Sequence, residues 1–313
     1  TKMAEHVNFR SQYYGRVGFK SVEEKKSLEI LLKERPLDIT KIKQFCLRFP
    51  VPSVYRPLTW KLLLGLLPVH QGSHDFVARQ LRLRYDDLLA ALYVMKRVDV
   101  DTPMSQVSLR MFLIEEGTLP FDETLMLEQS ENINFISISS AMQDLVQEPE
   151  DAFWMSVGFY RHQLRFGHLL PVLTAKTEEY LKKEDTDGKL YQHLFQLKAF
   201  SSLPIKQWFS CCFAKVLPEN SHERIWDKVI GGSCKVLVYV AVSLFLVLRR
   251  PIMAMNSVQD ISEYLSEIPE ESGDIIVSKA IEIWQKYGSI LTPTVPKADS
   301  MTQHLPLKQH QTC

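Results

Sequence analysis

Two histidines four residues apart, a vicinal pair of aspartates and two blocks of aromatic, arginine and aspartate residues are the places where this sequence could do chemistry. His70 and His74 have the spacing of two zinc ligands on one helix face. They follow Pro68 and enclose Gly72, so the chain there reads as a loop, and no H-E-x-x-H pattern or cysteine pair completes a metal site. Asp86 and Asp87 point about 100° apart on a helix, which suits a solvated face rather than an acid–base dyad. No G-x-S-x-G elbow, Walker loop or G-x-G-x-x-G occurs, and Gly231-Gly232 lacks the lysine and hydroxyl that would hold phosphate. The expectation is a protein with no metal, cofactor or catalytic residue.

The two remaining constellations are more specific. In the first, Arg56 and Trp60 lie four apart with Gly65 behind them. That spacing places a guanidinium and an indole on one helix face, where the cation can lie against the ring. The second runs from Trp208-Phe209 through Phe213 and Leu217-Pro218 to Arg224-Ile225-Trp226-Asp227, then Gly231 and an apolar run from Val236. Taken alone, each is a packing device, since a large aromatic beside an Arg or Asp anchors a helix end.

The elements that must position these groups are helical. Leu28, Leu31 and Leu32 recur at helical spacing and stop near Arg35-Pro36; Asp38 or Thr40 can cap a helix whose Ile42, Phe45 and Cys46 face one way. Leu58 to Leu67 reads as a dense apolar helix. Arg79 to Val98 is amphipathic, with Leu81, Tyr85, Leu88, Leu92 and Met95 as its seam. Asn132 to Leu145 fits a strand at Ile133 and Phe135 and a helix at Ile138, Ala141, Met142 and Leu145; its surroundings favour helix. Further helices are expected near Phe153–Phe166, Leu173–Leu181, Lys189–Ala199, Ile205–Leu217, Ser221–Val229, Val236–Leu248, Ser257–Leu265 and Asp274–Tyr287, the last capped by Asp274. The fold class is all-α, multi-helix, with no sheet. The organisation is an N-terminal extension (1–20), a domain (21–288) and a disordered C-terminal tail (289–313).

Composition bounds the function. With 45% apolar and 24% charged residues and zero formal net charge, the chain is globular and has no global electrostatic attraction for nucleic acid or anionic membrane. Its five cysteines form no C-x-x-C pair, which suits reduced thiols in the cytosol. The apolar run Val236–Leu248 falls short of the roughly 20 residues a membrane helix needs, so a buried core helix is expected. No secretory h-region is visible at the N-terminus, and the expected compartment is cytoplasmic.

Together the two constellations resemble the TBC domain, the module that activates GTP hydrolysis by Rab-type small GTPases. The R-x-x-x-W…G element is carried by Arg56, Trp60 and Gly65; the late W-F…L-P…R-I-W-D block, the more specific, by Trp208, Pro218, Arg224, Trp226 and Asp227. Glu150-Asp151-Ala152-Phe153-Trp154 looks like the family's E-D-A-F-W segment. The resemblance spans about Phe45 to Trp284 and implies a two-lobed, all-helical domain. Within the family, Asn8–Ser11, Val22–Lys33 and Asp274–Trp284 resemble the branch that accompanies hamartin and tuberin in the tuberous sclerosis complex. That likeness implies an adaptor that binds the hamartin coiled coil, meets tuberin indirectly, and supports restraint of mTOR signalling through the small GTPase Rheb. It also implies a place on vesicle or lysosomal surfaces through the complex.

Active members of the family carry I-x-x-D-x-x-R, whose arginine enters the GTPase site, and Y-x-Q, whose glutamine orients water. An arginine in that role is worth about 10³–10⁵ in rate. Where the first belongs, this chain reads Ile114-Glu115-Glu116-Gly117-Thr118-Leu119-Pro120; where the second belongs, Ile133 to Gln147 holds no tyrosine, and Gln143 and Gln147 lack the family's context. The reading is a TBC scaffold without its fingers. The alternative is an active GTPase-activating protein for a Rab-type GTPase, with Arg110 as substitute finger.

The segment Pro103–Glu116 is apolar on two sides. Val107, Met111 and Ile114 form one stripe, and Leu109, Phe112 and Leu113 another nearly opposite. Two such stripes mean either full burial or a second helix bound from outside. Val107, Met111, Phe112 and Ile114 are the candidate partner-binding residues, with the Leu81–Met95 seam as the second candidate surface.

Overall fold

The computed structural model describes residues 22–218 and 221–287; the extension 1–20 and the tail 289–313 lie outside the described residues. Among the described residues there are sixteen α-helices, three short 3₁₀ turns and no strand, so the all-α expectation holds. The helices are α1 (Val22–Lys33), α2 (Ile39–Arg48), α3 (Arg56–Leu63), α4 (His74–Val94), α5 (Met104–Glu115), α6 (Ser130–Leu145), α7 (Pro149–Leu164) and α8 (Leu170–Glu184). They continue with α9 (Lys189–Gln196), α10 (Ala199–Ser202), α11 (Ile205–Ser210), α12 (His222–Ile230), α13 (Val236–Val247), α14 (Arg249–Ala254), α15 (Val258–Ser266) and α16 (Glu270–Tyr287).

Local chemistry explains most of the boundaries. The Asp38 carboxylate accepts from the amides of Lys41 (3.1 Å) and Thr40 (3.0 Å), capping α2, and those bonds hold its pKa below the ordinary value. Ile42, Phe45 and Cys46 are then buried on one face. Helix α3 stops earlier than the apolar run Leu58–Leu67 suggested. Gly65 turns left-handed (φ 77°), and the Leu66 amide reaches back to the Lys61 carbonyl. The α4 helix starts at His74, ahead of Arg79, after a 3₁₀ turn over Gln71–Ser73. The ambiguous segment 132–145 is helical, with Phe135, Ile138, Ala141 and Met142 buried.

The last helix departs most from its expected start. Its expected cap is Asp274; instead α16 begins at Glu270 and runs through Gly273 and Asp274. A Cβ on Gly273 would sit 2.3 Å from Ser221 Oγ and 3.0 Å from the Pro218 ring, so this glycine is a close approach inside the helix.

Two groups of helices share one core. In the first, α4, α5, α6 and α7 pack in succession. Their aromatic centre is Phe112 stacked on Phe135 (4.6 Å, 9°) with Tyr160 edge-on to both. In the second, α13 is sandwiched between α8 and α16 and is buried from Val236 through Phe245. This is the core helix expected from its 13-residue apolar run, and no helix of the described chain is long and apolar enough to cross a membrane. Helix α12 touches α2, α3, α7 and α13, and so joins the two groups.

Because Phe135 is fully buried between two rings, Phe135→Ala removes both contacts and leaves a cavity. The expected loss is about 3–5 kcal/mol of unfolding free energy, read from urea midpoints. A loss below about 1 kcal/mol would show that the three rings do not hold this group together.

Candidate functional site

Helices α3 and α12 bring the two sequence constellations into one buried ion network. Asp227 is fully buried. Its Oδ1 accepts from Arg56 Nε (3.2 Å) and Trp60 Nε1 (2.9 Å), and its Oδ2 from the Val51 amide (3.1 Å). Arg56 also donates through Nη1 to Glu223 (2.8 Å) and through Nη2 to the Val51 carbonyl. Burial works against the Arg56 charge, but Asp227 and Glu223 outweigh it and hold its pKa above the ordinary value. Burial raises the Glu223 pKa, with Arg56 opposing. Arg56 and Trp60 do share a helix face, as their spacing predicted. They meet as two donors to one carboxylate, however, and not as a cation over a ring.

The rest of the late block packs around this network. Trp226 stacks on Phe159 (4.4 Å), tilts against Trp60 (6.2 Å) and donates its indole proton to the Cys212 carbonyl (3.0 Å). That carbonyl is delivered by a turn in which Cys212 (φ 49°) and Phe213 (φ 62°) are both left-handed. Such residues cost about 1–3 kcal/mol each and persist only where the surroundings over-determine them. Here Phe213 is fully buried beside Trp208 and Phe209. Arg224 reaches Ser278 on α16 (3.1 Å), and Pro218 closes against Gly273 of the same helix.

Lys228 adds a second tie. Its buried ammonium donates to the carbonyls of Cys46 (2.6 Å) and Phe49 (2.9 Å), satisfying the C-terminal end of α2. Burial pushes its pKa down to about 8, with Asp227 opposing the shift.

The stretches read as finger positions are tied into the chain itself. Gly117 (φ 69°) ends α5, Glu115 pairs with Arg84 (2.7 Å), and Glu116 bonds Arg161 Nε (3.1 Å). Arg110 bonds Glu123 through Nε (2.9 Å), a carboxylate it shares with Arg97 (3.1 Å). Gln143 donates to Ser108 and Ser139 (3.3 Å each), and Gln147 is exposed past the end of α6. A guanidinium and a carboxamide do meet at Arg35 and Gln71 (3.1 Å), joining the end of α1 to the turn before α4. Neither residue belongs to the stretches 97–131 or 133–147. His74 Nε2 bonds the Pro68 carbonyl (2.8 Å), which makes it part of the same turn. The four described cysteines, Cys46, Cys211, Cys212 and Cys234, are unpaired and buried.

The candidate partner helix is corrected by its burial. Val107, Met111 and Phe112 are buried and Ile114 half-buried, because α5 lies between α4 and α6. Its two apolar stripes pack against the chain's own helices, so Val107, Met111 and Phe112 offer no outer surface and Ile114 only part of one. The middle of the Leu81–Met95 seam also faces inward, while Met95 at its end is exposed: Tyr85, Leu88 and Leu92 are buried, with Tyr85 against Phe153 (5.8 Å) and Trp154 Nε1 on the Leu81 carbonyl (2.8 Å). The opposite side of α4 carries what the sequence reading missed. Phe76, Leu83 and Val94 are 62%, 52% and 83% exposed. Their spacings of 7 and 11 keep them within about 20° of one line along the helix. The signal was present in the sequence, but starting the helix at Arg79 excluded Phe76.

Two predictions follow from the ion network. Asp227→Ala strands the buried Arg56 cation and leaves the Trp60 and Val51 N–H groups unpaired, so the loss is about 3–5 kcal/mol. A chemical denaturation curve within about 1 kcal/mol of wild type would contradict it. Between pH about 8 and the ordinary lysine value of 10.5, the unfolded chain keeps a proton at residue 228 that the folded chain has released. Stability contributed by Lys228 therefore rises with pH across that window, and Lys228→Met removes the rise. Parallel pH–stability curves for wild type and variant from 8 to 10.5 would refute this assignment.

Comparison with known proteins agrees with this architecture. The family described as RabGAP TBC domain matches residues 175–278. The chain is 47% identical to "TBC1 domain family member 7" of Danio rerio over 284 residues, covering 90% of this chain and 95% of that protein. It is 46% identical to the Homo sapiens protein of the same name over 281 residues, with the same coverage. Among solved structures it is similar to the Ypt/Rab-GAP domain of Gyp1p, with TM-score 0.54, 16% identity, and coverage of 85% of this chain and 99% of that one. The Chlamydomonas flagellar RabGAP TBC domain gives TM-score 0.53, 14% identity, and coverage of 83% and 91%. With the Arg56–Asp227 network as its internal brace, the chain belongs to the TBC-domain family.

Proposed function

We propose that this chain is a non-catalytic TBC-domain adaptor that binds a helical partner along the outer side of α4. The observation that carries the reading is the exposed line Phe76–Leu83–Val94. Eighteen residues at about 1.5 Å rise make it roughly 27 Å long, the shape that a coiled-coil segment covers. Arg79, Arg82 and Asp86 are exposed along one side of it, with Arg82 paired to Glu150 (3.1 Å), and exposed Asp87 falls on the line itself between Leu83 and Val94. An apolar strip edged by both signs of charge and interrupted by one carboxylate suits a partner helix with an apolar seam and charged flanks.

By the sequence likeness to the hamartin–tuberin branch, the partner is the hamartin coiled coil, with tuberin reached indirectly. The role is then support of Rheb-directed restraint of mTOR signalling, in the cytoplasm and at vesicle or lysosomal surfaces that the complex occupies. The reading treats the missing I-x-x-D-x-x-R and Y-x-Q patterns as loss of GTPase activation, and Arg110, held by Glu123, as a structural residue.

Co-purification with a hamartin coiled-coil fragment tests the adaptor reading. Wild-type chain forms a stable complex. Leu83→Glu and Val94→Glu weaken it by about tenfold or more each, as a charge set into an apolar contact should. Both sites are exposed, so the variants keep the wild-type melting temperature. Wild-type affinity in both variants would sink the α4 surface, whereas Met111→Glu unfolds the core and is uninformative about docking. Acceleration of GTP hydrolysis across a panel of Rab-type GTPases, lost in Arg110→Ala, would replace the adaptor reading with an enzymatic one.

A further inference from the structure

The outer side of α4 is self-complementary about Leu83. At about 100° per residue, Phe76, Ala90 and Val94 fall within about 20° of Leu83. All four are exposed. Phe76 and Ala90 stand seven residues to either side of Leu83, about 10 Å along the axis, so a large ring and a methyl group lie at equal distances from the centre. Arg79 and Asp86 share one flank of the line, four residues before Leu83 and three after it. Gln80 and Asp87 lie toward the other flank, three before and four after.

The polar groups on this side are unevenly committed. Arg82 is paired with Glu150 (3.1 Å) and Arg84 with Glu115 (2.7 Å) inside the chain. Arg79, Gln80, Asp86 and Asp87 are exposed, and their side chains make no ion pair or hydrogen bond among the described residues. Opposite charges at matched distances from a midpoint are what a two-fold axis requires, because each contact between two copies must occur twice with the roles exchanged.

The direction of pairing follows from the same residues. Two α4 helices laid side by side across a two-fold axis at Leu83 run antiparallel, and each flank meets its own sequence reversed. Arg79 then faces Asp86 of the second copy within one residue's rise, about 1.5 Å, and Gln80 faces Asp87. Leu83 packs on Leu83, and Phe76 lies over Ala90, a large side chain on a small one. A parallel pair in register would set Arg79 against Arg79 and Asp86 against Asp86, and like charges across an interface repel. The antiparallel match also accounts for Asp87, the carboxylate that interrupts the apolar line, since the Gln80 carboxamide can donate to it.

We propose that two copies of this chain associate through α4, antiparallel, with Leu83 on the two-fold axis and Arg79 paired to Asp86 on both sides. The proposal rests on the strip that the adaptor reading gives to a partner helix, and it supplies a regulation of that site, because the two occupants exclude each other. One helix pair is a small interface, so the dimer is weak, with a dissociation constant on the order of tens of micromolar, and a tighter partner helix displaces the second copy by mass action.

Sedimentation equilibrium of the full chain alone, from about 1 to about 300 μM, tests it. Wild type shows a reversible monomer–dimer equilibrium. Leu83→Glu sets two carboxylates together on the axis and leaves only monomer. Arg79→Asp and Asp86→Arg each place two like-charge contacts in the dimer and weaken association by about tenfold or more. The double reversal, Arg79→Asp with Asp86→Arg, restores opposite charges and returns the dissociation constant to within about threefold of wild type, which a non-specific apolar contact would not do. The substituted positions are exposed, and circular dichroism melts at the wild-type temperature verify that the variants fold. The proposal is overturned if wild type stays monomeric throughout, if the single reversals leave association unchanged, or if the double reversal fails to recover it. No hamartin is present, so an obligate monomer would leave the adaptor reading standing, and failure of the hamartin fragment to bind would leave the dimer standing.

Discussion

One buried carboxylate decides how the α2–α3 segment seats on α12, the helix that joins the two groups. Asp227 sits on α12, the helix that touches both groups, and every donor it accepts comes from the α2–α3 segment. Taking a carboxylate and a guanidinium out of water costs several kcal/mol per ion, and the mutual attraction returns that only when the remaining hydrogen bonds are made. Here they are made: Arg56 spends its fork on Asp227, Glu223 and the Val51 carbonyl, and Trp60 and the Val51 amide complete the ring. Apolar contacts tolerate sliding; this arrangement does not. A shift of α3 along α12 by one residue would leave several buried polar groups unpaired at once. The network is thus better understood as fixing register than as adding net stability.

Lys228 extends the same logic to the preceding helix. The last four carbonyls of a helix must find a donor outside the regular ladder or face water. The Lys228 ammonium supplies one for α2 from the residue next to Asp227, at the cost of a pKa pulled down to about 8. Adjacent residues on α12 therefore hold α2 and α3 by opposite charges. Trp226, next in line, anchors the other flank through Phe159 and the Cys212 carbonyl. The Trp226-Asp227-Lys228 triplet is compact in sequence because its contacts radiate from one helix turn.

Much of the fold was legible because buried faces recur at helical spacing. Ile42, Phe45 and Cys46 on α2, the Tyr85–Leu88–Leu92 seam on α4, and the unbroken run of α13 are all buried where periodicity put them. Boundaries were legible only where backbone chemistry marked them. Asp38 caps α2, but Leu66 and Leu67 continue the apolar pattern past the Gly65 stop, and Asp274 reads as a cap although it lies inside α16. Pattern reports what a residue is, not what lies beside it. For that reason the apolar stripes of α5 could not be assigned: a helix covered by its own neighbours and one awaiting a partner have the same composition. The partner of Arg56 was equally hidden, since 171 positions separate it from Asp227.

The separation of brace from surface bears on what a TBC framework can lose. Asp227, Arg56, Trp60 and Trp226 are buried, and their contacts are with one another and with backbone. The segments 114–120 and 133–147 meet α4, α5 and α7 and contribute nothing to that ring. Substitutions at sites without shared partners act independently, so sequence change in those segments leaves the brace intact. A chain in which the GTPase-facing residues have drifted thus still folds into the same frame. The frame in turn holds the 21-residue α4 in place, pinned on its inner side by Tyr85, Leu88, Leu92 and the Trp154–Leu81 bond. A partner docking on its outer side would meet a surface that is already ordered, and the entropy of forming that surface would fall on folding rather than on binding. A rigid helix face needs no catalytic group to be useful, so a frame built around Asp227 can present α4 to a partner independently of any chemistry at the segments 114–120 and 133–147.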